Sequence, residues 1–331
     1  MMRKTLVALF GVIAGVSVAF GGGANGKMIE FACSGYEGDS TLVDFPVLVR
    51  LAENSPTGFR YSDMTSSSSG AEIRFYDENE NVLPYEVESW NPFGMSYIWV
   101  KVPLLSRKTV FTMYYGKTPS DTMTSADVWN SNYVGVWHFA EPSGAVSDST
   151  GHGLTATPKG TTTAQTATEG PLGNARVNAT AASKGYLEVA YDSALNIGDT
   201  FTVSGWYRMS GLNGNTPVVG RQAGWFSTNG WMFEMTDSYT DFAARGAAAS
   251  SNAKNVTGSL PSAQDGWVHF ALLYKGTNLT VYANGGRVTN GLIASAKDND
   301  TALMFGYGAS RSNFYGAFDE PPLRTNWSAG Q

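Results

Sequence analysis

Apolar and polar residues alternate in short runs along most of the chain, and a period of two marks strands with one buried face. Residues 27–33, 42–51, 72–76, 83–90, 96–102 and 109–115 carry the pattern. Turn chemistry separates them in Asp77-Glu78-Asn79-Glu80-Asn81 and Asn91-Pro92-Phe93-Gly94, and 66–70 reads as a loop. Strands at this spacing predict an antiparallel β sandwich over 26–120. The alternation lapses over 116–132, which marks a domain boundary. It resumes at 134–139, 186–189, 200–208, 216–221, 231–235, 267–275, 278–284, 302–307 and 314–319. Residues 160–170, rich in Thr and Ala, read as a loop, and Ala283-Asn284-Gly285-Gly286 as a tight hairpin turn. About a dozen strands in roughly 200 residues predict a jelly roll over 131–331. The fold class is all-β.

The N-terminus follows another rule. Met1-Met2-Arg3-Lys4 is basic, residues 5–20 form an apolar run, and small residues follow in Gly21-Gly22-Gly23-Ala24. That order predicts a secretory signal over 1–24, cleaved after Ala19 or Ala24. The run is short for a transmembrane helix, which takes about 20 apolar residues, and no later stretch is apolar enough to span a membrane. The protein is therefore expected to be secreted, periplasmic or at a cell surface. The one cysteine, Cys33, cannot form an internal disulfide and reads as a buried strand residue.

Charged residues make up 15% of the chain, against the usual quarter, beside many aromatics and glycines. That balance suits an exported β-rich protein. A net charge of -6 leaves no basic patch to release counterions from phosphates, which argues against nucleic acid as a partner.

Catalytic constellations are scarce. A retaining glycosidase needs two carboxylates about 5–5.5 Å apart, and alternate positions of one strand would supply them. In the second domain only Asp298 and Asp300 are two apart, within a turn-like segment. Glu86 and Glu88 share a strand face in the first domain, where they read as its polar side or, alternatively, as a hydrolytic pair. Three histidines, His138, His152 and His269, supply zinc ligands poorly. Sugar recognition asks for flat apolar faces beside hydrogen-bonding groups. Trp225, Trp231, Tyr239 and Phe242, with Arg221 and Asn229, are the candidates, although aromatics of a sandwich also fill its core. Asp148 and Asp319 offer carboxylates, and Ser149 and Gly151 further oxygens, for a Ca²⁺ ion. The competing reading is that Asp148 caps its own turn and that Asp319 is at the surface or paired with Arg.

Several segments resemble a known family in order. They are Val136-Trp137-His138-Phe139, Asp148-Ser149-Thr150-Gly151, Thr200-Phe201-Thr202-Val203-Ser204-Gly205-Trp206 and Gly266-Trp267-Val268-His269-Phe270-Ala271, followed by Val281-Tyr282-Ala283-Asn284-Gly285 and Phe318-Asp319-Glu320. Over about 131–320 the chain resembles the LamG-like members of the concanavalin A-like lectin/glucanase superfamily. The paired-acid strand motif of the glucanases is absent. Such domains often hold a cation between the Asp148 and Asp319 regions, so the resemblance implies the same residues for calcium. The pair Pro321-Pro322 interrupts the strand that usually follows Asp319-Glu320 and leads to the expectation of an altered closing edge. Residues 26–120 resemble an uncharacterised β domain common in exported bacterial proteins, on segments such as Leu83-Pro84-Tyr85-Glu86-Val87-Glu88-Ser89-Trp90 and Met113-Tyr114-Tyr115-Gly116. The resemblance implies a bacterial, non-catalytic binding protein whose partner is a polysaccharide or glycoconjugate. The alternative is a structural or adhesive protein that binds cell-surface proteins.

Overall fold

The structure is a computed structural model. It describes residues 16–17, 26–36, 38–66, 68–117, 125–160, 166–178, 185–212, 214–222, 229–247, 255–264, 266–308, 314–319 and 322–325. It contains two compact units, one reaching Asn130 and the other beginning at Ser131. Among the described residues no helix is long and apolar enough to cross a membrane.

In the first unit the strands are β1 (Val16–Ser17), β2 (Lys27–Ala32), β3 (Leu42–Leu51), β4 (Ile73–Asp77), β5 (Val82–Leu83), β6 (Tyr85–Ser89), β7 (Ser96–Leu105) and β8 (Val110–Tyr115). They form two antiparallel sheets, β1-β2-β8-β4-β5 and β3-β7-β6. Alternate residues of each sheet meet in one core, Ile29, Phe31, Phe75 and Phe111 from the larger, Val47, Val49, Ile98 and Val100 from the smaller. This is a β sandwich. Cys33, directly after β2, is buried there, and burial pushes its thiol up to about 11. The edge strand β3 is interrupted at Asp44, whose φ of 48° bulges the chain, and carries Pro46, which cannot donate to a ladder. Both features discourage pairing with another chain.

The second unit holds β9 (Tyr133–Gly135), β10 (Ala156–Lys159), β11 (Thr166–Gly170), β12 (Gly173–Asn178), β13 (Tyr186–Val189), β14 (Thr200–Met209), β15 (Asn215–Arg221) and β16 (Trp231–Thr236). It continues with β17 (Asp241–Arg245), β18 (Val256–Ser259), β19 (Val268–Lys275), β20 (Asn278–Ala283), β21 (Gly286–Leu292), β22 (Leu303–Phe305), β23 (Gly316–Asp319) and β24 (Leu323–Thr325). A seven-stranded sheet runs β10-β13-β22-β15-β16-β17-β18. A nine-stranded sheet runs β11-β12-β23-β14-β19-β20-β21, with β24 and β9 attached beside β14. The two pack face to face as a jelly roll. Phe201, Val203, Tyr207, Phe270 and Tyr274 meet Trp231, Phe233, Phe242 and Phe305 in the core. Phe201 stacks on its strand neighbour Tyr274 at 4.4 Å and meets Trp231 of the other sheet at 5.3 Å, a ring pair that joins the layers.

Several expectations need correction. Residues 166–170, expected as loop, form β11, because a two-residue turn at Pro171-Leu172 pairs Gly170 with Gly173. The strand expected over 134–139 ends at Gly135. Phe139 has a φ of 55°, and Trp137 turns into the core, where its N–H donates to Leu154 O at 2.6 Å. The closing strand exists despite Pro321-Pro322: β24 pairs with both β14 and β9. The hairpin turn at Asn284-Gly285 takes positive φ at both residues, as its sequence requires.

Two outcomes are expected from this packing. Trp137→Ala, at a fully buried site against Phe305, lowers the unfolding free energy by about 3–5 kcal/mol in denaturant titration. An unchanged midpoint would mean that this segment is not docked in the core. His269 lies buried against Trp206, and burial holds its imidazole down at about 3. The unfolded imidazole takes its proton near pH 6.5, so between these values the unfolded state binds more protons and acid destabilises the fold. From about pH 6.5 to 5 the wild type loses about 2 kcal/mol through this residue, a loss absent in His269→Gln.

Candidate functional site

The acidic loop after β9 is built around one carboxylate. Asp148 Oδ1 accepts from Val136 N at 3.1 Å, Thr150 N at 3.0 Å and Thr150 Oγ1 at 2.8 Å. Its Oδ2 accepts from Leu154 N at 3.2 Å and again from Thr150 Oγ1 at 2.8 Å. Ser149 N donates to Val136 O, and Gly151 supplies the φ of 82° at which the loop turns. Asp319 ends β23, fully buried, and its Oδ2 accepts from Leu172 N at 3.2 Å. This donor set does not fit calcium. The groups that face Asp148 are N–H and O–H dipoles, which stabilise the anion and oppose a cation. Among the described residues no group of three or more His, Cys, Asp or Glu side chains is placed to hold a metal. Asp148 thus organises its own loop, and Asp319, expected with Ser149 and Gly151 in the same calcium grouping, ties β23 to the β11–β12 turn.

The carboxylates of β6 are engaged in the same manner. Glu86 Oε2 accepts from the Trp129 indole N–H at 2.7 Å, and Glu88 Oε2 from that of Trp99 at 3.2 Å. The two indole rings lie 5.6 Å apart. Glu86 thus anchors the segment around Trp129 to the sheet, and Glu88 ties β6 to Trp99 of β7.

The segment from β15 to β17, where sequence pointed to sugar-binding aromatics, runs through the seven-stranded sheet. Alternation decides which of its residues can meet a ligand. Trp231 and Phe242 point into the core at 2% and 1% exposure, so neither can form the expected platform. Arg221 shares the face of Trp231 and is spent on the chain around it. It donates to Leu195 O, to Asn299 O at 2.8 Å and to Thr301 O at 3.1 Å. Tyr239 is half-buried against the core, and Asn229 is exposed. Trp225 lies outside the described residues. The expectation chose the wrong parity: a strand's ligand-facing set is one residue away from its core-facing set.

The face away from the core has a different composition. A row of paired residues crosses it from Thr157 through Glu188, Met304, Gly220 and Met232 to Arg245. Gly220 is required in the middle, since a Cβ there would lie 2.9 Å from Trp231 O and 3.1 Å from Met232 Cβ. At the β17 end Arg245 Nη2 donates to Gln222 Oε1 at 2.7 Å, and Gln222 Nε2 donates to Gly246 O at 3.0 Å. Glu234, on the same face, is buried. At the β13 end Tyr186 and Tyr307 are half-buried and stack at 4.3 Å with 16° between ring planes. The Tyr186 hydroxyl donates to Glu188 Oε2 at 3.4 Å, and Lys159 Nζ stands 3.7 Å from Glu188 Oε1. Burial first, then the Glu188 charge, pushes the Tyr186 phenol up, so its proton stays in place for donation. This end offers flat ring surface beside a carboxylate, an ammonium and phenol hydroxyls.

Residues 181–323 match the family model described as the concanavalin A-like lectin/glucanases superfamily. Residues 69–151 match a domain of unknown function (DUF2341). No curated protein sequence matches the chain. Among solved structures it is similar to domain 4 of AbnA, a GH43 extracellular arabinanase from Geobacillus stearothermophilus, in complex with arabinotriose. The identity is 18% and the TM-score 0.47, over 60% of this chain and 96% of that one. It is also similar to the botulinum neurotoxin serotype D binding domain at 11% identity and TM-score 0.44. That match covers 60% of this chain and 49% of the other, so the chain spans about half of that domain. The Ruminococcus gnavus IT-sialidase CBM40 bound to α2,3-sialyllactose is similar at 13% identity and TM-score 0.35, over 44% of this chain and 92% of that one.

The geometry around Asp148 gives a direct expectation. Asp148→Ala strips the Val136, Thr150 and Leu154 N–H groups of their acceptor and costs about 2–4 kcal/mol of stability. EDTA leaves the wild-type unfolding midpoint unchanged. A midpoint that falls in EDTA and recovers with Ca²⁺ would contradict this reading.

Proposed function

We propose that the protein is an exported, non-catalytic binding protein whose jelly roll recognises carbohydrate on the non-core face of its seven-stranded sheet. The observation that carries the reading is the Tyr186–Tyr307 stack beside Glu188 and Lys159. A sugar ring has apolar C–H faces and a rim of hydroxyls. Parallel aromatic rings suit the faces, while a carboxylate and an ammonium a few ångströms away suit the rim. The match of 181–323 to a lectin/glucanase superfamily supports the same ligand class. Glu86 and Glu88, each held by an indole N–H, favour binding over hydrolysis. The basic and apolar start of the chain supports export, with the leader removed after Ala19 or Ala24.

A glycan array probed with the full chain tests the reading, with affinities then measured by calorimetry for the glycan that binds. Tyr307→Ala is expected to weaken binding about tenfold, equivalent to ~1.4 kcal/mol. Tyr76→Ala, in the first unit, leaves it unchanged. Failure of a folded sample to bind any glycan would sink the proposal. Protein recovered outside the cells is expected to begin at Phe20 or Asn25 by mass spectrometry.

A further inference from the structure

A second group of ligand-competent side chains lies on the other sheet. On β14, Tyr207 and Met209 face the core, so Arg208 and Ser210 face away from it. Arg208 is flanked by β19 on one side and β23 on the other, since Tyr207 pairs with Val268 and Arg208 with Ala317. Trp267, directly before β19, stands beside Arg208, whose guanidinium carbon lies 5.1 Å from the indole ring centre. Across the strand, Ser210 N donates to Tyr315 O, and the Tyr315 ring lies on Gly211. A Cβ at that glycine would fall 2.4 Å from Tyr315 Cδ1. Arg208, Trp267 and Tyr315 are all half-exposed, and Leu212 beside them is exposed.

The polar atoms of this group are open to a ligand. Among the described residues the Arg208 guanidinium makes no hydrogen bond or ion pair, and its one recorded contact is with the face of Trp267. The Trp267 indole N–H and the Tyr315 hydroxyl likewise have no hydrogen-bond partner there. The arginines placed only for structure behave otherwise: Arg221 is spent on backbone carbonyls and Arg245 on Gln222. A guanidinium carries five N–H donors in a planar fork that matches a carboxylate. Here that fork stands on the Trp267 indole, and Tyr315, opposite Ser210 two residues further along β14, supplies a second ring at the same end of the sheet. One ring face can take each neighbouring sugar while the fork holds an acidic substituent.

We propose that Arg208, Trp267 and Tyr315 form a second ligand site, on the nine-stranded sheet, that takes a carboxylate-bearing sugar. The net charge of -6 opposes non-specific adsorption of a polyanion, so attachment of an acidic glycan depends on such a local site. The site uses no residue of the Tyr186–Tyr307 face, and the two stand or fall separately.

The test titrates the full chain with an alginate hexasaccharide and with the uncharged maltohexaose, at low and moderate salt. The alginate oligosaccharide binds more tightly than maltohexaose, and Arg208→Gln weakens it at least tenfold without moving the unfolding midpoint. Arg208→Lys, which keeps the charge and loses the fork, weakens it too, and Trp267→Ala weakens it several-fold. Arg287→Gln, at an exposed position on β21, measures general electrostatics and leaves binding within twofold. The proposal is overturned if alginate binds no better than maltohexaose. It is equally overturned if Arg208→Gln changes binding no more than Arg287→Gln does.

Discussion

The second unit depends on the alternation along β14. Both edges of this strand are paired, one by β19 and the other by β23 and β24, so it cannot slide without breaking ladders on two sides. Its inner residues Phe201, Val203, Tyr207 and Met209 fill the core, and its outer residues Thr202, Ser204, Trp206 and Arg208 cannot. A slip of one residue would put Arg208 in the core and Tyr207 outside, which no pairing gain could offset. The strands locked to β14 inherit its parity. The position of Trp267 beside Arg208 is a consequence of the core on the opposite side of the sheet.

The same sorting separates polar groups that hold the fold from those free to hold a ligand. Asp148 takes donors from three backbone N–H groups, Arg221 gives donors to carbonyls of the 299–301 segment, and Glu86 and Glu88 each accept an indole N–H. Removing any of them leaves buried polar atoms unsatisfied, so selection for stability alone would retain them. Each resembles site chemistry when seen in sequence. The groups with surface and donors to spare lie at the Tyr186–Tyr307 edge of one sheet and the Trp267–Tyr315 end of the other, and neither holds a densely charged motif.

The sequence was most legible where bulky residues alternate over a long run. Strands β3, β13 and β14 lie within a residue of their expected bounds because Leu42 to Leu51, Tyr186 to Val189 and Phe201 to Met209 present large side chains to a core at every second position. Strands β10, β11, β12, β17, β18 and β21 were not legible. They are short or rich in Thr, Ala, Gly and Asn, and their pairing comes from neighbours rather than from their own apolar face. Trp137 and Phe139 suggested a strand because both are large and alternate, yet they reach the core from a bent backbone. For the site, composition pointed to the aromatics of β15 to β17 and could not assign their parity. Trp231 and Phe242 look like a sugar platform until the core claims them. Tyr186 and Tyr307 are 121 positions apart in sequence and become neighbours only through the pairing of β13 with β22.

The most direct measurement is a map of backbone amide shifts in the full chain on adding a glycan that binds. Carbohydrate recognition at the Tyr186–Tyr307 end of the seven-stranded sheet predicts that the perturbed amides cluster at 157–159, 186–188 and 304–308. Shifts confined to the Asp148 loop or to the first unit, with that sheet silent, would contradict the account.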